Sequence, residues 1–160
     1  MAAKGTPATR ALQSAQAAFT LHEYDHTSSS GGYGEHAAAA LGIDAHRIFK
    51  TLIVTVDGVL AVAVVPVAFQ LDLKSLATAC RGKKAAMADP AAAERSTGYV
   101  RGGMSPLGQR QPLRTVIDNE ALHHSTMFVS AGRRGLQIEL SPHDLIRLTA
   151  ATTADIGRQD

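Results

Sequence analysis

Ile48-Phe49-Lys50-Thr51-Leu52-Ile53-Val54-Thr55-Val56, then Asp57-Gly58, then Val59-Leu60-Ala61-Val62-Ala63-Val64-Val65, is the stretch on which the fold reading turns. β-Branched residues dominate both arms, and Asp-Gly supplies the two positive φ values of a primed two-residue turn, so the segment reads as a β-hairpin. The second arm, residues 59–65, is apolar without alternation. A strand of that kind is covered on both faces or lies inside a closed sheet.

Toward the N-terminus, Thr6-Pro7 is a cap and first-turn signal for an alanine-rich helix over 8–18. Residues 19–24 alternate as a strand, with Phe19 and Leu21 on one face and His22 and Tyr24 on the other. A Ser/Gly loop at 27–34 then leads to a short helix at 35–41, stopped by Gly42, and a turn at 44–47. Toward the C-terminus, Asp72 caps a helix to about Cys80, and Asp89-Pro90 caps another to about Arg95. Short β-rich runs at 113–117, 126–130 and 136–140 follow, the last two joined by Gly132-Arg133-Arg134-Gly135, and Ser141-Pro142 opens a terminal helix. Strands interspersed with helices make the class α+β, a curled mixed β-sheet or barrel-like core flanked by helices.

The chain has 160 residues, 45% of them hydrophobic, which suits one domain over residues 1–160 with a real core. A charged fraction of 19% and a net charge of +2 exclude a histone-like or polyacidic protein and leave nucleic-acid binding to local patches. The single cysteine, Cys80, forbids an internal disulfide framework and suits a reducing compartment, so the cytoplasm is expected. No apolar run approaches the ~20 residues of a membrane span, and the first residues lack a signal-peptide core.

The chemistry begins with a second stretch, Gly98-Tyr99-Val100-Arg101-Gly102-Gly103-Met104-Ser105-Pro106-Leu107-Gly108. Four glycines around one Ser-Pro step build a loop that presents main chain, with N–H groups able to approach an anion or a developing oxyanion. Lys50 is the one charge in an otherwise apolar strand; facing that loop, it could bind a phosphate or ribose oxygen. Ser105 and Ser130 are the candidate hydroxyls, yet no G-x-S-x-G elbow or readable triad accompanies them. Seven histidines do not show metal-ligand spacing, so no metal is expected. Cys80 reads as a buried structural thiol. The basic clusters Arg81-Gly82-Lys83-Lys84, Arg101 with Arg110, and Arg133-Arg134 are either solvated faces or a track for a phosphate backbone. Tyr24 and Tyr33 are either core or stacking platforms for a base.

Four separated motifs, Phe49-Lys50-Thr51-Leu52, Ser96-Thr97-Gly98-Tyr99, the run from Gly102 to Gly108, and the run from Ser130 to Leu136, occur in an order that resembles the YbaK family. These are free-standing relatives of the prolyl-tRNA synthetase editing domain that deacylate Cys-tRNA(Pro). The resemblance spans nearly the whole chain. It implies a pocket for the aminoacyl-adenosine end of tRNA, with Lys50 at the terminal adenosine or its phosphate. The amides of Gly102 and Gly103 would face the aminoacyl carbonyl in a loop running through Ser105 to Pro106. Tyr24, Tyr33, Thr51 and Ser130 would line the pocket. The family's proposed chemistry uses the substrate's own cysteine thiol to expel tRNA as a thiolactone leaves, so it implies no metal, no cofactor and no protein nucleophile. The implied partners are Cys-tRNA(Pro) and prolyl-tRNA synthetase, with no membrane and no DNA. Three other readings stay open from sequence: a non-catalytic tRNA- or synthetase-binding module, a water-using aminoacyl-tRNA hydrolase of other specificity, and a small-molecule esterase using Ser105.

Overall fold

The computed structural model describes residues 5–26 and 33–159. Its elements, in chain order, begin with helix α1 (Pro7–Ser14), strand β1 (Phe19–Glu23), helix α2 (Tyr33–Leu41) and strands β2 (Phe49–Val56), β3 (Val59–Pro66) and β4 (Gln70–Leu71). Helix α3 (Leu73–Ala79), strand β5 (Ala85–Met87), helix α4 (Pro90–Thr97) and strand β6 (Arg114–Asp118) follow. A 3-10 turn (Asn119–His123) leads to β7 (Met127–Ser130), β8 (Leu136–Leu140), helix α5 (Pro142–Thr149), β9 (Thr152–Ala154) and β10 (Gly157–Arg158).

The hairpin forms as read. Asp57 and Gly58 have φ of 51° and 83°, and β2 pairs with β3 from Phe49↔Pro66 to Val56↔Val59. β3 is covered on both faces: Val62 and Val64 enter the core shared with Ile53, Ile117 and Ile138, whereas Ala61, Ala63 and Val65 pack with Val54, Leu76 and Val116. All five are at most 3% exposed, which is why this strand carries no alternation. The parallel neighbours β6 and β9 extend the sheet to the order β5-β2-β3-β6-β9, and β1-β8-β7 form a separate antiparallel sheet.

The mixed α+β architecture is as expected, but no barrel closes. Among the described residues the two larger sheets share one bridge, Ile48↔Phe128, and no ladder between β2 and β7 continues past it. That gap matters for the site. β2 pairs with β5 only from Val54 onward, so between the bridge and Val54 its second edge carries no strand ladder among the described residues.

Three sequence-based boundaries shift. The first helix ends at Ser14 because Gln16 turns left-handed at φ 55° and Ala17 N–H closes onto Leu12 O, freeing the chain to enter β1. Of the loop expected at 27–34, residues 27–32 lie outside the described residues, and Tyr33 and Gly34 are already helical. Beyond the helix opened by Ser141-Pro142 the chain continues into two short strands, β9 and β10. No helix among the described residues is long and apolar enough to cross a membrane.

Candidate active site

A cavity of about 470 Å³ opens where β2 lacks that second ladder. Its floor is Phe49, Lys50, Thr51, Leu52 and Ile53; its walls come from Tyr24, the start of α2 (Tyr33, Glu35), the start of α4 (Pro90, Glu94), the glycine loop (Arg101, Gly102, Met104) and the β7–β8 pair (Ser130, Gln137). The main chain of β2 fixes what the edge offers. Ile48 O accepts from Val67 N–H and Ile53 O accepts from Ala88 N–H, so the alternation turns the peptide groups of Phe49 and Thr51 to the edge away from β3, where the bridge to Phe128 engages Phe49 and the Thr51 peptide lies beyond it.

Two side-chain atoms on this wall stand out. Thr51 Oγ1 and Gln137 Oε1 are buried and have no hydrogen-bond partner among the described residues. Leaving a buried polar group unsatisfied costs about 1–3 kcal/mol, so two such atoms in residues that line one cavity mark it as a candidate ligand site. Ser130, opposite Gln137 in the β7–β8 register, accepts the Gly132 N–H through Oγ at 3.2 Å and thereby holds the hairpin turn.

The glycine loop is shaped from outside. Gly102 has φ 85°, and a Cβ there would lie 2.5 Å from Arg134 Nε and 3.0 Å from the Tyr33 ring. Arg134 is itself pinned: its Nε and Nη2 donate to Arg101 O at 3.1 and 2.9 Å, and its guanidinium sits 4.4 Å over the Tyr33 ring. One clasp therefore ties α2, the glycine loop and the β7–β8 turn together at the mouth. Buried Tyr99 supports the loop from below by donating its hydroxyl to Leu107 O at 2.6 Å, and burial pushes its phenol up to about 12.

Of the residues singled out from sequence, Tyr24, Tyr33, Lys50, Thr51, Gly102 and Ser130 line the cavity, and Gly103, Ser105 and Pro106 do not. The Gly103 N–H is engaged with Val100 O at 2.9 Å, and a Cβ at Gly103 would lie 2.8 Å from Arg133 Cα, so this glycine allows close loop packing. Ser105 is fully buried, its Oγ accepting the Leu107 N–H. That position withdraws it from a nucleophilic role. Gln137, Glu35 and Glu94 are wall residues the sequence reading missed, and Arg101 and Met104, quoted there within the glycine-loop stretch, also line the cavity. Gln137 had a readable signal: counting back across the Gly132-to-Gly135 turn places it beside Ser130. Among the described residues no histidine, cysteine or aspartate lines the cavity, and Glu94 Oε2 already accepts the Arg101 N–H at 3.0 Å.

Residues 33–148 match the family described as the aminoacyl-tRNA editing domain. The chain belongs to that family. It is also 44% identical over 128 residues, 79% of this chain and 77% of the relative, to an Enterococcus faecalis protein named as a Cys-tRNA(Pro)/Cys-tRNA(Cys) deacylase, EbsC. Among solved structures, a protein described as a trans-editing enzyme for prolyl tRNA synthetase superposes with a TM-score of 0.80 at 23% identity, covering 96% of this chain and 99% of that one. The hypothetical protein APE2540 gives 0.84 at 24% identity over 96% and 100%. At such identities the two structures establish the editing-domain fold alone. The family match covers the β2 floor, the glycine loop and the β7–β8 wall of this editing domain.

Proposed function

We propose that this editing domain, acting as one unit over residues 1–160, is an aminoacyl-tRNA deacylase that clears cysteine from Cys-tRNA(Pro). The observation that carries the reading is the cavity itself. It offers peptide groups, two unsatisfied polar atoms and a lysine, without a side-chain nucleophile coupled to a base. Such a site orients and stabilises. The 44% identical relative, named for this activity, supports the same substrate.

In the proposed reaction the substrate thiol attacks its own ester carbonyl carbon, forming the C–S bond of a thiolactone. The ester C–O bond to the terminal ribose then breaks, and the thiol proton ends on the departing ribose oxygen. An attacking group held within the same molecule can reach an effective molarity on the order of 10⁵ M or more, less where ring strain opposes closure. The Gly102 amide is the proposed donor to the oxyanion, a contribution of about 3 kcal/mol, while Gly103 keeps the loop in position. Gln137 Oε1 accepts from the substrate ammonium, the Thr51 hydroxyl meets the ester or ribose oxygens, and Lys50 faces the phosphate of the terminal adenosine. Tyr24 and Tyr33 flank the adenine. Prolyl-tRNA synthetase is the proposed source of the mischarged substrate and the cytoplasm the proposed compartment, in keeping with a chain of modest net charge.

The test is deacylation of preformed Cys-, Ala- and Pro-tRNA(Pro) by the wild type, Lys50→Ala and Gly102→Ala. Loss of the cysteine ester alone, impaired in both variants, is expected. Equal hydrolysis of the alanine and cysteine esters would sink the thiol-assisted route, and no hydrolysis of any ester would sink the deacylase reading.

A further inference from the structure

The three basic clusters of the sequence separate in the fold. Arg81-Gly82-Lys83-Lys84 packs on the hairpin tip, where the Lys83 and Lys84 amides donate to Asp57. At ~3.3 Å per strand residue that tip lies about 20 Å along β2 from Lys50. The other two clusters lie along the glycine loop, with Arg101 in the cavity wall and Arg134 on Tyr33 at its mouth, and two more arginines adjoin that loop.

Their placement can be followed contact by contact. Arg134 lies over Tyr33 and on Arg101 O, and Arg133 packs its main chain against Gly103. Arg110 flanks Gly98 and donates to Arg95 O at 3.4 Å. The Tyr99 ring touches Gly132, the residue before Arg133, and Gly108 packs against the Pro7 carbonyl at the start of α1, the helix that carries Arg10. Arg10, Arg95, Arg101, Arg110 and Arg134 are exposed and Arg133 is half-exposed.

What marks these six is that they gather along the glycine loop and the β7–β8 turn; Arg114 on β6 likewise donates to a main-chain carbonyl, that of Cys80 at 2.6 Å, but stands apart from them. Arg47 and Arg147 pair with Glu139 and Asp144. Among the described residues, no carboxylate lies within ion-pair distance of any of the six rim guanidiniums. Arg110, Arg133 and Arg134 donate instead to main-chain carbonyls, of Arg95, Arg134 and Arg101. A carbonyl orients a guanidinium without cancelling its charge, so Arg110, Arg133 and Arg134 are preset forks within the rim. That arrangement suits the oxygens of successive phosphodiesters.

We propose that this arginine rim is the track on which the phosphate backbone of an RNA acceptor stem lies while its 3′ end enters the cavity. The proposal rests on the deacylase reading for what the 3′ end carries, and on the rim alone for where the backbone runs. It also accounts for tRNA recognition by a chain of net charge only +2, since six of its arginines are gathered at one place.

The test uses the full chain with Arg10, Arg110 and Arg133 changed together to alanine, none of which lines the cavity. A control changes Arg81, Lys83 and Lys84 to alanine. Binding to an uncharged acceptor-stem RNA hairpin is titrated across salt, and cleavage is measured on Cys-tRNA(Pro) and on the small ester cysteinyl-adenosine. Each lost phosphate contact should lower the log–log salt slope by about 1. The rim variant should therefore lose a slope of about 2–3 and bind at least about tenfold more weakly at moderate salt, with the control unchanged. Cleavage of Cys-tRNA(Pro) should fall in parallel and cleavage of cysteinyl-adenosine should stay as in the wild type. Restoring lysine at the three positions should restore most of the slope. An unchanged slope in the rim variant, or an equal loss in the control, overturns the proposal. If the wild type cleaves neither ester the deacylase reading fails, while the hairpin titration still decides the rim.

Discussion

The two ends of β2 are made of similar residues and behave as opposites. At the hairpin end every device favours stability: β3 and β5 flank the strand, and Asp57 accepts the Lys83 and Lys84 amides, which hold its carboxyl below the usual range. At the cavity end, among the described residues, one edge carries no ladder past the bridge and Thr51 Oγ1 has no partner, with Gln137 Oε1 in the same condition across the cavity. The contrast teaches where this fold leaves unused interaction energy. A polar atom unsatisfied in the free protein lowers its stability, and the proposed contact with substrate would offset that loss.

The largest expected effect comes from breaking the cavity end at Gly102. Gly102→Ala places a methyl against Arg134 and Tyr33 on a backbone with φ 85°, displacing the one loop amide assigned to the oxyanion. Loss of such a donor costs about 10²–10³ in rate. Single-turnover deacylation of Cys-tRNA(Pro) should fall accordingly, and a circular dichroism spectrum like the wild type's would show that the fold survives. Unimpaired turnover would remove the loop from the mechanism.

Thr51→Val sharpens the contrast because stability and activity should move in opposite directions. Replacing an unsatisfied buried hydroxyl by a methyl of the same shape is neutral or stabilising by up to about 1 kcal/mol, whereas losing a contact to substrate should lower kcat/KM by about tenfold. Urea unfolding and kinetics on the same preparation decide it. A destabilised variant with full activity would mean that Thr51 is ordinary core.

Asp57→Ala probes the other end and should do the reverse. Unfolding should begin at lower denaturant with deacylation unchanged, because the lost acceptors serve only Lys83, Lys84 and the hairpin turn. The sign with pH follows from the depressed carboxyl. Its contribution is present above the ordinary carboxylate range and is lost as pH falls through the lowered value. Wild type and variant should thus converge in stability in acid, and a constant gap would point to the turn conformation instead.

The sequence revealed the hairpin end more fully than the cavity end, for a physical reason. Asp57-Gly58 and the continuous apolar run at 59–65 are local signals, and both appear in the structure unchanged. β4, β5, β9 and β10 are two or three residues long, too short for periodicity, and owe their conformation to partners distant in sequence such as β6 for β9. The glycine loop announced itself, but not that Gly103 and Ser105 would face away from the cavity. That depends on Arg133 and Leu107, which pack against them. Gln137 alternates with Leu136 and Ile138 and so by periodicity alone reads as solvent-facing; only its register opposite Ser130 marks it, and it is 6% exposed in the cavity wall.

The smallest expected effect lies beneath the loop, at Tyr99. Burial raises its phenol to about 12, and its hydroxyl donates to Leu107 O, so the folded protein holds the neutral form more tightly than the unfolded chain does. A raised folded value means stability that is fully present below the unfolded pKa of about 10 and is lost as pH rises from there through about 12. The loss is a few tenths of a kcal/mol at pH 10 and grows above it. Tyr99→Phe removes both the donor and the titration. The variant should be less stable than the wild type at pH 8, and the difference should shrink as pH rises past 10. If the two stability profiles stay parallel to pH 11, the phenol is not held neutral by the fold, and the support it gives the glycine loop comes from ring packing alone.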